Sequence, residues 1–372
     1  MSFIPFELER WQGTWEHRVR FNLSESGVYP LSVAELLELA GTDRTDLDDL
    51  RLGYSQADGT DELRSIIAEL YPGATEGNVL VTVGSSEANF LVCWSLIKAG
   101  DRVAALVPMY RQTWGVAQNL GAQVAEFALD PELGWDLNPE DIGRAISPDT
   151  KLVVVTNPNN PTGHVLSAPA RDTILDCARS AGAWLLADEV YQGAELDGVT
   201  TQSFWGSYER TIVVGGLSKA YGLPGLRIGW IVCPRDFKES LHARHDYTVI
   251  CPPAASDYLA RTALGVRDLL LERTRTILNE NYAVLADWLG GFGSLMHWRK
   301  PDCGAICFVD YRASIAALDL AERIRVENSI LLEPGEHFGY PRFLRMGYGN
   351  EPGELQRALE HLGPALENLL SD

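Results

Sequence analysis

An α/β fold, with a mostly parallel sheet covered by helices on both faces and a smaller α+β C-terminal domain, is the architecture this sequence predicts. Two patterns carry the prediction. Between Val79 and His245 short apolar runs alternate with longer helical stretches, and such alternation lays strands parallel with helices packed over both faces. Beyond Pro252 the order becomes one long helical stretch, two separated strands and a closing helix, the pattern of a second lobe.

In chain order, strands are expected at residues 79–83, 102–107, 123–128, 151–156, 184–187, 211–214 and 227–232. Each is a run of aliphatic residues too short for a helix and bounded by turn formers. Helices are expected between them, at 87–99, 168–181 and 236–245. In the second lobe a helical stretch covers 254–289, strands lie near 305–309 and 343–346, and a helix covers 352–370. The chain therefore divides into an N-terminal segment, 1–45, packing on the small domain and a cleft entrance; a large domain, 46–265; and a small domain, 266–372. No repeat or low-complexity stretch interrupts it.

Composition bounds the function. At 372 residues the chain is long enough for two or three domains, and 46% hydrophobic with 22% charged residues is ordinary for a globular protein. A net charge of −20 opposes nucleic acid and anionic membrane surfaces, so neither is an expected partner. No apolar run approaches the roughly 18 residues a membrane span needs. The first twenty residues are broken by Glu7, Glu9 and Arg10, which argues against a secretory signal. The six cysteines are scattered, and Cys303 and Cys307 lack a second pair or a nearby His pair. No metal site is expected, and the thiols read as reduced, in a cytoplasmic protein.

The most informative segment is Gly216-Leu217-Ser218-Lys219-Ala220-Tyr221-Gly222-Leu223-Pro224-Gly225-Leu226-Arg227-Ile228-Gly229. Lys219 follows an apolar strand in flanks too apolar and Gly-rich for a solvated face. A lysine so placed can lose its proton and form a Schiff base with a carbonyl cofactor, while Arg227 supplies a planar fork for phosphate. That pairing implies pyridoxal 5'-phosphate (PLP). Asp188, in Ala187-Asp188-Glu189-Val190-Tyr191, ends a buried strand, where α/β sheets bind ligands. An acid there pairs with the pyridine nitrogen and keeps the ring an electron sink. Tyr191 and Asn160, the latter in the rigid turn Asn157-Pro158-Asn159-Asn160-Pro161-Thr162-Gly163, are donors for the ring's 3-oxygen.

These three segments, in this order, resemble the class I/II aminotransferase family, PLP enzymes of fold type I, from about Leu52 to the C-terminus. The resemblance implies residue roles. Lys219 is the Schiff-base lysine, Asp188 and Tyr191 complete the catalytic set, and Asn160 contacts cofactor and substrate. Ser85 and Ser86, in Val83-Gly84-Ser85-Ser86-Glu87-Ala88, would cradle phosphate with Arg227 at a helix start, although plain N-capping is the commoner use of such serines. Tyr110 matches an aromatic packing on the cofactor and Tyr54 a tyrosine reaching the neighbouring subunit's phosphate; core or turn aromatics are the alternative for both. Arg345 matches the arginine that forks onto the substrate's α-carboxylate, with a structural ion pair as the alternative. A homodimer with shared sites follows from the same resemblance.

Two departures stand out. Many members carry a phosphate-binding serine where this chain has Gly216, with Ser218 as a substitute. An early Gly-x-Pro element of the pocket is replaced by Asn22-Leu23-Ser24-Glu25-Ser26-Gly27-Val28-Tyr29-Pro30, which makes Ser26 and Gly27 candidate substrate contacts. This segment, with Phe6-Glu7-Leu8-Glu9-Arg10-Trp11 and His245-Asp246-Tyr247-Thr248-Val249-Ile250-Cys251, resembles the branch similar to capreomycidine synthase, whose enzymes act on arginine or hydroxyarginine. Glu9 or Glu25 would then face a guanidinium, a bidentate match; a helix-surface acid is the alternative for Glu9. The expected activity is transaminase-type conversion of a free L-amino acid, with elimination and cyclisation of an arginine derivative as the alternative. A P-loop is excluded because Gly216–Ala220 lacks its order of residues. A non-catalytic effector sensor is the remote alternative; such a protein would usually carry an added DNA-binding module, and the acidic N-terminus has no basic helical segment.

Overall fold

The computed structural model describes residues 3–370. Eight strands form one sheet in the spatial order Val79–Thr82, Gly229–Val232, Thr211–Gly216, Trp184–Asp188, Thr150–Thr156, Arg102–Val107, Gln123–Asp130 and Asp136–Leu137. The middle five run parallel and the pairings at both ends are antiparallel. Residues 152–155, 185–187 and 212–214 are at most 1% exposed, as continuous aliphatic runs must be when helices cover both faces. Thr156 stands beside Asp188, and Asp188 beside Val214. The parallel strands thus end along one edge, and the loops carrying Asn160, Tyr191 and Lys219 leave from it.

A second sheet of four antiparallel strands, Met296–Trp298, Ile306–Tyr311, Phe343–Gly347 and Glu333–Pro334, follows in the C-terminal part. Its core is aromatic. Phe308 stacks on Phe343 at 4.7 Å, and Trp135 from the large sheet's side packs against both. The N-terminal segment is stitched onto this part: Phe21–Asn22 pairs parallel with Ile330–Leu331, the Gly347 N–H donates to the Leu23 carbonyl at 2.7 Å, and Trp11 Nε1 donates to the Leu332 carbonyl at 3.0 Å.

Three elements differ from expectation for local reasons. The helix expected over 87–99 is Ser85–Leu96, because Asp101 takes the Lys98 N–H at 2.8 Å and Gly100 turns the chain at φ 90°. The stretch over 254–289 is two helices, Ala254–Gly265 and Arg267–Gly290, broken at Val266, whose φ of −120° is outside the helical range. The strand expected from 227 starts at Gly229. Pro224 opens a tight turn that leaves Arg227 left-handed at φ 52°, so this side chain leaves the sheet. Among the described residues no helix is long and apolar enough to cross a membrane.

Gly347 marks how closely the N-terminal segment lies against the second sheet, since a Cβ there would stand 2.0 Å from the Glu25 carbonyl oxygen. Gly347→Ala should lower stability by about 1–3 kcal/mol, as overpacking does, and displace residues 22–27. Equilibrium denaturation checks this; an unchanged midpoint would contradict the contact.

Candidate active site

A cavity of about 340 Å³ opens at the C-terminal edge of the large sheet, within the range of small-ligand sites. It is lined by Ser85, Ser86, Tyr110, Thr156, Asn160, Asp188, Tyr191, Ser218, Lys219, Arg227 and Arg345, together with Leu8, Glu9, Gln12, Glu16, Glu25 and Ser26 from the N-terminal segment. Nearly every residue singled out in the sequence therefore converges on one site.

Asp188 ends its strand with its carboxylate buried. Asn89 Nδ2 donates to Oδ2 at 2.8 Å and the Val190 N–H to Oδ1 at 3.3 Å. Burial lifts its pKa to about 6, against these donors and the nearby Lys219. Asn89 was not foreseen, although it lies one helical turn after Ser85 and so faces the same side. Thr156 was missed too; its place at a strand end was the available signal.

Around Lys219 the polar groups form a connected chain. Tyr191 Oη donates to Ser26 Oγ at 3.0 Å and accepts from Asn160 Nδ2 at 3.2 Å. Asn160 Oδ1 accepts from Arg345 Nη1 at 2.9 Å, and Arg345 Nη2 donates to the Ser24 carbonyl at 2.5 Å. Arg345 is 1% exposed and its Nε has no partner. Its cross-strand neighbour is the buried Glu333, which also bonds His337. Lys219 Nζ donates to Glu25 Oε1 at 2.9 Å. Burial disfavours the ammonium, but Glu25 and Tyr191 outweigh it and hold Lys219 above its ordinary pKa. Lys219 in turn draws Glu25 down to about 2.

At the other end Gly84, at φ 79°, starts the helix Ser85–Leu96 with no side-chain cap, so Ser85 and Ser86 lie within its first turn rather than capping it. A Cβ on Gly84 would meet Arg227 Nη2 at 2.4 Å, so glycine is what lets the guanidinium fold over the helix start. Backbone N–H groups, two hydroxyls and a guanidinium there suit a phosphate. A Cβ at Gly216 would be 3.2 Å from the Ile228 carbonyl; the missing serine corresponds to close strand packing, and Ser218 lines the cavity instead.

The remaining candidates separate. Tyr110 donates to Glu9 Oε1 at 2.5 Å and meets Phe6 edge-on. Gly27 backs onto the lysine, where a Cβ would be 3.3 Å from the Ser218 carbonyl and 3.7 Å from Lys219 Cδ. Tyr54 is 88% exposed and does not line the cavity of its own chain. Gln12 and Glu16 were not anticipated; their spacing from Leu8 is the helical period that brings them to one face.

A buried acid at the floor, a lysine beside it and an anion cradle at a helix start fit PLP in charge and arrangement, and fold and site together define a PLP enzyme of fold type I. The family model for aminotransferase class I and II matches residues 25–362, and the chain belongs to this family. It is 30% identical over 363 residues to capreomycidine synthase of Streptomyces vinaceus, covering 96% of this chain and 93% of that one. It is 27% identical to an aspartate aminotransferase of Rhizobium meliloti, covering 85% and 82%. Among solved structures, a PLP-dependent aminotransferase from Streptococcus suis superposes with a TM-score of 0.94 at 32% identity, covering 99% of both chains. The PLP-dependent cyclase OrfR does so with 0.91 at 27% identity, covering 99% and 98%.

The raised pKa of Asp188 has a consequence for stability. Its folded value of about 6 lies above the ordinary 3.8, so the folded chain keeps a proton that the unfolded chain releases. Stability of the cofactor-free protein is therefore lost as pH rises from about 4 through about 6, by an amount on the order of 3 kcal/mol. Asp188→Asn should make the cofactor-free protein more stable than its parent at neutral pH, with the difference shrinking near pH 4, while abolishing most turnover of the holoenzyme. Denaturation at the two pH values checks it; equal stability at neutral pH would refute the assignment.

Proposed function

We propose that the chain converts a free L-amino acid with a cationic distal group by transaminase-type chemistry. One observation carries the substrate class. The face that the N-terminal helix and the residue after it turn to the cavity is Leu8, Glu9, Gln12 and Glu16, without a basic residue. Arg345 lies in the same cavity, so an α-carboxylate and a distal cation would each meet an opposite charge.

Bound PLP supplies an electron sink that weakens the bonds to the substrate's Cα. Ser85, Ser86, Ser218 and Arg227 would hold its phosphate and Asn160 and Tyr191 its 3-oxygen, with Tyr110 available to pack on the ring. Asp188 would pair with the ring nitrogen and keep it protonated. Arg345 would fork onto the substrate's carboxylate, with Asn160 and the Ser24 carbonyl fixing its plane. Ser26 lines the wall, and Gly27, expected there too, lies outside the lining and backs the lysine instead. Lys219 would hold and move the proton at the substrate's Cα, its position deciding where that proton is delivered.

A second reading is loss of a β- or γ-substituent followed by ring closure through a guanidino nitrogen. It is favoured by the near full-length similarity to capreomycidine synthase and to the cyclase OrfR. A cytoplasmic homodimer belongs to the same proposal, with Tyr54 of each chain serving its partner's phosphate. Phe90, Trp94 and Tyr247 form a run of touching rings, with Phe90 and Tyr247 exposed, that a partner would cover.

Mass spectrometry of products from arginine, hydroxyarginines and neutral amino acids tests the reading. A keto acid marks amino transfer, and loss of water with ring closure marks the second reading. Glu9→Gln should raise KM for arginine-type substrates about tenfold or more, as loss of a charge-assisted hydrogen bond of about 1.5 kcal/mol does, and leave neutral substrates unaffected. Equal effects on both classes, or no turnover of any basic amino acid, would sink the cationic reading. For the dimer, Tyr54→Phe and Lys219→Ala chains mixed under demonstrated exchange should partially recover activity, above that of either impaired parent; no recovery removes the shared site.

A further inference from the structure

Three hydrogen bonds converge on one oxygen near the reactive lysine. Glu25 Oε1 accepts from the Ser26 N–H at 2.9 Å, from the Gly27 N–H at 3.0 Å and from Lys219 Nζ at 2.9 Å. The first two donors belong to the chain immediately after Glu25, so the carboxylate is locked on its own backbone before it meets the lysine. That backbone is itself fixed. The Ser24 carbonyl accepts from Arg345 and from Gln12 Nε2, Ser26 Oγ accepts from Tyr191, and Gly347 leaves no room for the Glu25 carbonyl to shift. The carboxylate and the ammonium both line the cavity, so their partial exposure is toward the site. A mobile surface pair is worth little because ordering two long side chains costs entropy. Here one partner is already ordered.

We propose that Glu25 is a positioning residue for Lys219: its oxygen is a fixed resting place for the lysine ammonium whenever Nζ has no covalent partner. The inference rests on Lys219 being the cofactor lysine. The geometry gives Glu25 two consequences. It holds the free lysine at one place in the site, and it retains the proton on Nζ. The charged and titratable groups facing Nζ are Glu25 from the N-terminal segment, Tyr191 from the loop after the Asp188 strand, Asp188 itself, and Arg345 from the second sheet. Glu25 and Tyr191 favour the ammonium, and Arg345 opposes it. Removing the Glu25 charge therefore shifts the lysine toward its neutral form.

The test uses trace acetic anhydride on cofactor-free protein across pH, with peptide mass spectrometry reading each lysine. Only five lysines are present, and Lys98, Lys151, Lys238 and Lys300 serve as internal references. In the parent, the reactivity of Lys219 should rise at higher pH than that of the exposed Lys98 and Lys151. In Glu25→Gln its midpoint should fall by a pH unit or more, about a tenfold gain in reactivity at fixed pH below the midpoint, with the references unmoved. Glu25→Asp, which keeps the charge on a shorter stem, should fall between. A merely structural role would shift the melting curve and leave the Lys219 midpoint in place, and that outcome overturns the proposal. So does a parent Lys219 that titrates with or below the exposed lysines, a result that requires no variant to fold. Borohydride trapping of bound cofactor, mapped by mass spectrometry, separately identifies the cofactor lysine. An adduct elsewhere defeats the reading of Lys219 without bearing on the ion pair.

Discussion

Charge buried beyond what the chain itself compensates is the constraint on which the rest of the site depends. Asp188 is held by one amide and one backbone N–H, and its elevated pKa records an environment that resists the carboxylate. Arg345 is 1% exposed with its Nε unpartnered. A fold that only had to be stable would place neither group there, since such burial costs several kcal/mol unless paired. An aromatic nitrogen that can carry a proton would relieve the first, and on the proposed reading a substrate carboxylate would relieve the second. The parallel sheet makes this affordable: its long hydrophobic strands are buried on both faces, and their common edge gathers the loops into one place.

The N-terminal segment turns that edge into an enclosed site. Asn22–Gly27 passes between the two sheets and touches three functional side chains in succession, through the Ser24 carbonyl to Arg345, Glu25 to Lys219 and Ser26 to Tyr191. The helix before it lays Glu9 and Glu16 over the opening. Because residues 21–23 are hydrogen-bonded into the second lobe, the geometry at Lys219 is tied to packing around Gly347, far along the chain. Lobe packing and site chemistry are therefore one structural problem.

Much of this was legible in the sequence, for reasons that differ by residue. The strands ending in Thr156, Asp188 and Gly216 announce themselves because burial on both faces demands continuous apolar runs. Lys219, Asp188 and Asn160 stand out because polar groups at such ends have few structural uses. Element bounds were less legible, since they are set by individual contacts such as Asp101 on the Lys98 N–H. Arg227 was read as part of a strand, and only its left-handed backbone brings it back over Gly84. Asn89 and Thr156 were invisible as site residues because side chains of their kind fill many buried helices and strands. The partner of Glu25 was also beyond sequence reasoning, which weighed it against a substrate guanidinium. Its contact with Lys219 spans 194 positions, and no local pattern encodes such a pairing.

The placement of the acids then orders the cavity by charge. Glu25 is spoken for by Lys219, and Glu333 lies behind Arg345 and bonds His337. Glu9, bonded only to the neutral Tyr110 hydroxyl in its contacts within the site, and Glu16 above it remain turned toward the ligand space. An acidic side chain bound there would meet like charge. Glu9 is exposed in the free protein; a neutral side chain laid over it would strip its water without compensation, and a cationic one would supply a charge partner as it did so. On the proposed reading Arg345 and Glu9 would select by exclusion as well as by attraction, which is how specificity is built when a single favourable contact is not enough.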